Sequence, residues 1–232
     1  MNFLLIPGAG GEAWVWHRVE STLITMGHDA VSVDLPADDD TAGIEEYSEI
    51  ALSAIGGKAN PIIVGLSLGS FTAALLCLKL ATTSLVLVNG MIPLLGETPG
   101  EWWEATGQAQ AKAANDLHQG RDPDAAFDPI TTFFHDVAPD IALEAEHHNR
   151  MQSNGPFTSP WTLPNWPDVP THVVIGWDDR FFPVGFQRSI AEERLGIEPE
   201  IIDGGHLLPL SRPVELATLL DSYARSADPV SR

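Results

Sequence analysis

The chain has 232 residues, 44% of them hydrophobic, and a single cysteine. This length is enough for one large α/β domain or two small ones, with a core that needs no disulfide bonds. The formal net charge of -20 argues against binding to the phosphate backbone of nucleic acids. No apolar stretch has the length of a membrane span, and no signal peptide is visible. We therefore expect a cytoplasmic protein with neither nucleic-acid nor membrane partners.

Short apolar runs alternate along the chain with stretches of helical periodicity. Strands are predicted at residues 3–6, 30–33, 61–64, 84–88, 171–175 and 200–202. Helices are predicted between them at residues 14–26, 44–55, 71–80 and 184–195, with a last one near 213–224. Such alternation predicts a mostly parallel six-stranded sheet with right-handed crossovers and helices on both faces.

Residues 93–167 break this alternation and are rich in prolines and aromatic residues. Helical periodicity returns there only around residues 102–117 and 141–151. We expect a helical cap inserted after the fourth strand, over the carboxyl edge of the sheet where ligands bind. Residues 1–92 and 168–232 would form the core. Most of the aromatic residues would attach the cap to the core, and the candidates for a substrate pocket are Trp102, Phe133 and His135.

The pentapeptide Gly65-Leu66-Ser67-Leu68-Gly69 lies between a predicted strand and a predicted helix. The G-x-S-x-G spacing alone is weak evidence, but this position is typical of a nucleophile elbow, a sharp turn that exposes a serine above the sheet. Ser67 is therefore the candidate nucleophile. A serine hydroxyl needs a base, and the base needs an acid that orients it.

Both partners follow later strands in the expected order of serine, acid and histidine. Asp178 and Asp179 come after the fifth strand, and His206 follows the sixth, directly after two glycines. The glycines allow a tight loop that turns the imidazole toward Ser67. The residues alone leave the choice between the two aspartates open.

The glycine-rich residues 7–11 follow the first strand and allow two interpretations. A dinucleotide-binding turn would require G-x-G-x-x-G, but the last position is Ala13. The alternative is an oxyanion loop, in which the backbone N–H groups of Ala9 and Leu68 face the developing alkoxide. We favour the oxyanion loop.

A group of residues resembling metal ligands occurs at Glu144, Glu146, His147 and His148. Nothing elsewhere in the chain completes a coordination set. We expect these residues to form a solvated helix face, and we expect neither a metal nor a cofactor.

Together these features resemble the α/β-hydrolase superfamily over essentially the whole chain, and in particular its branch of plant methyl esterases and hydroxynitrile lyases. The resemblance is carried by residues 8–17, 33–36, the elbow, Gly205-His206 and residues 211–213. It implies the α/β-hydrolase fold and a Ser-Asp-His triad. In this superfamily the acid commonly stands four residues before a proline, which selects Asp179 ahead of Pro183.

Two departures from the family pattern bear on the reaction. Pro7 replaces the usual histidine before the oxyanion-loop glycine, and Gly8 and Leu207 replace the threonine and lysine of the lyases. These departures favour hydrolysis over lyase chemistry, and the aromatic residues of the cap suggest an apolar or aromatic substrate. We therefore expect a serine hydrolase that cleaves a small apolar or aromatic ester through an acyl-enzyme on Ser67, as a monomer or homodimer. Alternatives are a C–C bond hydrolase, a thioesterase or lactonase, a hydroxynitrile lyase, and a ligand-binding receptor on a hydrolase scaffold.

Overall fold

The structure is a computed structural model that describes residues 1–162 and 165–227. One six-stranded sheet has the strand order β2-β1-β3-β4-β5-β6. Its strands are β1 (Asn2–Ile6), β2 (Asp29–Ser32), β3 (Ile62–Leu66), β4 (Ser84–Val88), β5 (Thr171–Gly176) and β6 (Glu200–Ile202). All five neighbouring pairs are parallel. The predicted six-stranded α/β architecture is confirmed, and the described sheet is parallel throughout.

Helices connect the strands and follow the last one. They are α1 (His17–Thr25), α2 (Ile44–Ala54), α3 (Gly69–Lys79), α4 (Pro99–Thr106), α5 (Gln108–His118), α6 (Pro129–Phe133), α7 (Pro139–Ala145), α8 (Gly155–Thr158), α9 (Val184–Leu195), α10 (Leu208–Ser211) and α11 (Pro213–Ala227). Short 3-10 helices occur at Ala13–Trp16 and Glu146–His148. None of the helices in the described ranges combines the length and apolar character that crossing a bilayer requires.

Side chains of the strands alternate between two apolar layers, because successive residues of a strand point to opposite faces. In β1, Phe3 and Leu5 pack into a layer with α1 and α11. Leu4 and Ile6 pack into the other layer with α2, α3 and α9. Helices therefore cover both faces, and the central strands are buried on both sides, as expected of a parallel sheet.

The strand register brings the carboxyl ends of five strands to one edge. Leu66 pairs with Val88, Val88 pairs with Val174, and Gly176 pairs with Ile202. Ile6 at the end of β1 is in register with Gly65 of β3. The loops that follow these strands therefore leave the sheet side by side.

The residues between β4 and β5, called here the helical segment, contain α4 to α8. The expected helix at 102–117 is two helices, because Gly107 adopts a left-handed conformation with φ of 67° and ends α4. Thr98 and Glu101 form a capping box that starts α4. The four-residue α10 was not predicted, since it is too short to show a helical periodicity.

Candidate active site

Ser67 stands on the sharp turn between β3 and α3. Its φ of 50° lies in the left-handed region, which non-glycine residues rarely adopt. A Cβ on Gly65 would lie 2.7 Å from the carbonyl oxygen of Gly69, and a Cβ on Gly69 would collide with the carbonyl oxygen of Pro7. Both glycines are therefore required by the close approach of strand, helix and loop. A serine in this conformation between a strand and a helix, with close-packed glycines on both sides, is what a nucleophile elbow would require.

Asp179 and His206 are brought together by the loops after β5 and β6. Asp179 Oδ2 lies 2.7 Å from His206 Nδ1, and both residues are buried. The other carboxylate oxygen accepts hydrogen bonds from the N–H groups of Phe181 and Phe182, each at 2.8 Å. These bonds compensate for the burial of a charged carboxylate. The aspartate is thus fixed with one oxygen toward the imidazole.

The neighbouring Asp178 contacts a different histidine. Its Oδ2 lies 3.2 Å from His135 Nε2, and 51% of its side chain is exposed. Adjacent residues in a loop point in different directions, so only one of the two aspartates reaches His206. The geometry favours Asp179 as the partner of His206.

Ser67 and His206 line one cavity of about 740 Å³ at the carboxyl edge of the sheet. Among residues 1–162 and 165–227, neither the Ser67 hydroxyl nor His206 Nε2 makes a hydrogen bond. Hydrogen bonds between a nucleophile and its base are often long without substrate. Both groups are therefore available to a molecule in the cavity.

The loop after β1 lies directly against the elbow. A Cβ on Gly8 would be 3.2 Å from Ser67 Cβ. In the described part of the chain, the N–H groups of Ala9 and Leu68 have no hydrogen-bond acceptor, and both residues line the cavity. Leu68 also immediately precedes α3, whose N-terminus carries partial positive charge. Two unpaired amides beside Ser67 are the arrangement that an oxyanion hole requires.

The helical segment provides much of the cavity wall. From this segment the lining includes the apolar and aromatic side chains of Trp103, Ile130, Phe133, Phe134 and Phe157, and the polar side chains of Glu146, His148, Asn149, Arg150 and Gln152. Phe181 after β5 and Glu12 after β1 also line the cavity. Phe133 also packs against the imidazole of His206, with ring centroids 5.2 Å apart.

Two of the three expected pocket residues lie elsewhere. Among the described residues that line the cavity, Phe133 is present, but Trp102 and His135 are not. Trp102 is fully buried and donates from Nε1 to the Ile92 carbonyl at 3.0 Å. Successive residues of a helix differ in direction by about 100°, so the adjacent Trp103 faces the cavity. The His135 side chain is 7% exposed and lies beside Asp178.

Three residues of the site were missed by sequence reasoning. Asp136 accepts a hydrogen bond from the Gly205 N–H at 2.7 Å. Gln152 accepts one from the Gly10 N–H at 3.0 Å. Asn89, at the end of β4, donates to the loop that carries His206. Of the three, only Asn89 could have been recognised from the sequence, because it is a polar residue directly after a buried strand. Such a residue stands at the carboxyl edge of the sheet, where functional residues lie.

Within the described ranges, no cluster of three or more histidine, cysteine, aspartate or glutamate residues could hold a metal ion. His148 stacks on Trp14 at the cavity wall, with centroids 4.6 Å apart.

A parallel sheet in this strand order, with a serine on the turn after β3, defines the α/β-hydrolase class. The model of the alpha/beta hydrolase family matches residues 3–219, and the chain belongs to that family. The chain is similar to norfluorocurarine synthase 1 from Strychnos sp, at 23% identity over 96% of this chain and 95% of that protein. It is also similar to methylesterase 7 from Arabidopsis thaliana, at 24% identity over 96% of this chain and 97% of that protein.

Solved structures show the same fold. The crystal structure of polyneuridine aldehyde esterase matches with a TM-score of 0.76 at 19% identity, over 96% of this chain and 98% of that chain. The expected resemblance to the plant methyl esterase branch is confirmed. The family match and the methylesterase relative support esterase-type hydrolysis as the general chemistry.

Proposed function

We propose that this protein is a carboxylesterase-like serine hydrolase that cleaves small apolar or aromatic esters through an acyl-enzyme on Ser67. The observation that carries this proposal is the 2.7 Å hydrogen bond between Asp179 and His206 beside a cavity that both His206 and Ser67 line. Ser67, His206 and Asp179 would then act as nucleophile, general base and orienting acid.

His206 has the position and hydrogen bond that a general base needs. Nε2 takes the proton of the Ser67 hydroxyl as the serine oxygen attacks the ester carbonyl, and it then gives this proton to the leaving alcohol. Asp179 accepts the Nδ1–H hydrogen bond, which holds the tautomer and stabilises the imidazolium. Water, activated by the same histidine, then releases the acid from Ser67.

The oxyanion of the tetrahedral intermediate would accept hydrogen bonds from the Ala9 and Leu68 N–H groups. Both amides are unpaired within the described residues, so no existing hydrogen bond is broken when the oxyanion forms. Preorganised donors of this kind contribute about 3–4 kcal/mol each to stabilising the transition state.

The cavity wall supports an apolar or aromatic substrate of modest size. Trp103, Phe133 and Phe181 provide aromatic contacts near His206. Leu207, directly after His206, also lines the cavity. Because no ammonium group stands at this position to stabilise a cyanide leaving group, hydrolysis is favoured over lyase chemistry.

A fluorophosphonate probe and a panel of p-nitrophenyl and methyl aryl esters test the proposal on wild type and Ser67→Ala. We expect labelling and turnover of the wild type, and loss of both in Ser67→Ala, with kcat lower by about 10⁵-fold or more. Ser70→Ala is the matched control, because Ser70 is buried close in sequence but does not line the cavity.

Two outcomes would contradict the proposal. Labelling that persists in Ser67→Ala would show that Ser67 is not the nucleophile. Labelling of Ser67 without turnover of any ester would favour a C–C bond hydrolase or a ligand-binding receptor.

A further inference from the structure

Asn89 occupies an unusual position directly after β4. It is fully buried, and its φ of 43° is in the left-handed region. Within the described residues, only Asn60 and Ser67 share a positive φ without being glycine. Backbone strain of this kind occurs where the surrounding structure enforces it, often at functional sites.

The side-chain amide of Asn89 makes all four hydrogen bonds that an asparagine amide can make. Nδ2 donates to the carbonyl oxygens of Gly205 at 3.1 Å and His206 at 2.7 Å. Oδ1 accepts from the Gly176 N–H at 2.7 Å and from Gln187 Nε2 at 3.2 Å. One side chain therefore ties together the chain segments that follow β4, β5 and β6.

The residues around Asn89 also hold the elbow. The Ser67 N–H donates to the Val88 carbonyl at 3.0 Å, and the Met91 N–H donates to the Ser67 carbonyl at 3.1 Å. Residues 88–91 are thus hydrogen-bonded to the backbone of Ser67 on one side and to that of His206 on the other. This segment therefore connects the backbones of the two residues directly.

Gln187 extends the network to the acid. Its Nε2 lies 3.3 Å from Asp179 Oδ2, the oxygen that also contacts His206, and 2.8 Å from the Phe182 carbonyl. Gln187 and Asn89 are both buried. Gln187 Nε2 contacts both Asn89 Oδ1 and Asp179 Oδ2. Asn89 is therefore connected directly to the His206 backbone and, through one side chain, to Asp179.

We propose that Asn89 is a positioning residue that holds the His206 imidazole in reach of Ser67 and Asp179. This inference rests on the proposed function, because it assigns His206 the role of base. Asn89 does not line the cavity within the described chain, so it acts through the His206 backbone and does not contact substrate.

The test compares Asn89→Ala and Asn89→Asp with the wild type. Asn89→Asp keeps the size and an oxygen that can accept from Gly176, but it replaces the amide that donates to Gly205 and His206. Asn60→Asp is the matched control, because Asn60 has a similar φ of 46° but is exposed and remote from this network. The readouts are kcat and KM for an aryl ester, circular dichroism, and the downfield proton NMR resonance of His206 Nδ1–H.

We expect kcat to fall about 100-fold in both Asn89 variants, the effect of displacing a reacting group by about 1 Å, with KM and circular dichroism unchanged. The Nδ1–H resonance should broaden or disappear in both, and Asn60→Asp should match the wild type in every readout. Unchanged kcat and an unchanged resonance in the Asn89 variants would overturn the proposal. So would a fall in kcat with the resonance retained, or failure of both variants to fold, which would show a general structural role.

The Nδ1–H resonance of His206 is measured without substrate. This inference can therefore be tested independently of the proposed function. If the wild type shows no Ser67-dependent turnover, the proposed function fails. Loss of the resonance in the Asn89 variants would still support Asn89 as the residue that positions His206, and its retention would overturn this assignment.

Discussion

The carboxylate of Asp136 accepts a hydrogen bond from the backbone N–H of Gly205, with 2.7 Å between Oδ2 and the nitrogen. Asp136 belongs to the helical segment, and Gly205 immediately precedes His206. A Cβ on Gly205 would lie 2.7 Å from both Asp136 Oδ1 and His135 Cε1. The helical segment is therefore packed closely against the histidine loop, and glycine at this position allows the contact.

Asp136→Ala should reduce both stability and activity. It leaves the part-buried Gly205 N–H without its acceptor, at a cost of about 1–3 kcal/mol. We expect kcat/KM to fall about tenfold, less than the ~100-fold cost of a full 1 Å displacement. Urea unfolding and initial rates measure the two effects. Asp136→Asn is the control because it keeps an oxygen that can accept; equal effects of the two substitutions would contradict the role of this hydrogen bond.

Separate substitution of each of the two adjacent aspartates by asparagine tests whether Asp179 is the acid that orients His206. Asp179→Asn should lower kcat by about 10⁴-fold, because the amide stabilises the wrong tautomer of His206. Asp178→Asn should leave kcat nearly unchanged, since its side chain is half exposed and contacts His135. Ester hydrolysis by the two purified variants gives the answer. A greater loss in Asp178→Asn would reverse the assignment.

The adjacent tryptophans of α4 should have separable effects. Trp102→Ala removes a fully buried ring that donates to Ile92, and we expect the free energy of unfolding to fall by about 3–5 kcal/mol. Trp103→Ala removes an aromatic contact at the cavity wall. Such contacts are worth about 0.5–1.5 kcal/mol, so KM for an aryl ester should rise up to about tenfold. If Trp102→Ala raised KM and left stability unchanged, while Trp103→Ala did not raise KM, the assignment of Trp102 to stability and Trp103 to substrate binding would be wrong.

Two glycine substitutions should change stability in opposite directions. Gly69→Ala places a Cβ against the Pro7 carbonyl oxygen, so we expect a loss of about 1–3 kcal/mol and a distorted elbow with reduced turnover. Gly185→Ala in α9 has open space for the Cβ, and it should stabilise the protein by about 0.5–1 kcal/mol. Thermal unfolding compares the pair. Tolerance of Gly69→Ala with full activity would show that the elbow can relax.

Cys77 should make the protein less stable at alkaline pH. Burial raises the pKa of this thiol from 9.0 to about 12. Between these values the unfolded thiol ionises while the folded thiol stays protonated, so the unfolded state binds fewer protons and the free energy of unfolding falls as pH rises. Cys77→Val cannot ionise, and denaturant titrations from pH 8 upward should show a shallower loss of stability. Parallel profiles for wild type and Cys77→Val would contradict the prediction.

The sheet could be predicted from the sequence because its strands are short apolar runs, and the central strands β3 and β4 are buried on both faces. The prediction for β4 matches residue for residue, and β2 differs by one residue at each end. The order of Ser67, Asp179 and His206 along the chain was also visible, since each follows a strand. Their catalytic roles remain predictions.

The cavity wall could not be predicted in the same way. Which of Trp102 and Trp103 faces the cavity depends on how α4 packs against Ile92, and no periodicity extends far enough to fix this because Gly107 ends the helix. The contacts of Asp136 and Gln152 join positions distant in sequence. Sequence spacing carries no information about such pairs.

The direct pairing of β4 with β5 at Val88 and Val174 has a consequence for how this enzyme family can diversify. The sheet itself joins the two ends of the helical segment, so a longer connection costs little, about 0.6 kcal/mol for each doubling of loop length. We therefore expect changes in the length of this segment to leave the elbow intact, provided that its buried contacts with the core, such as those of Trp102 and Trp161, are kept. Any replacement segment would still have to supply one hydrogen-bond acceptor for the Gly205 N–H and another for the Gly10 N–H, as Asp136 and Gln152 do here.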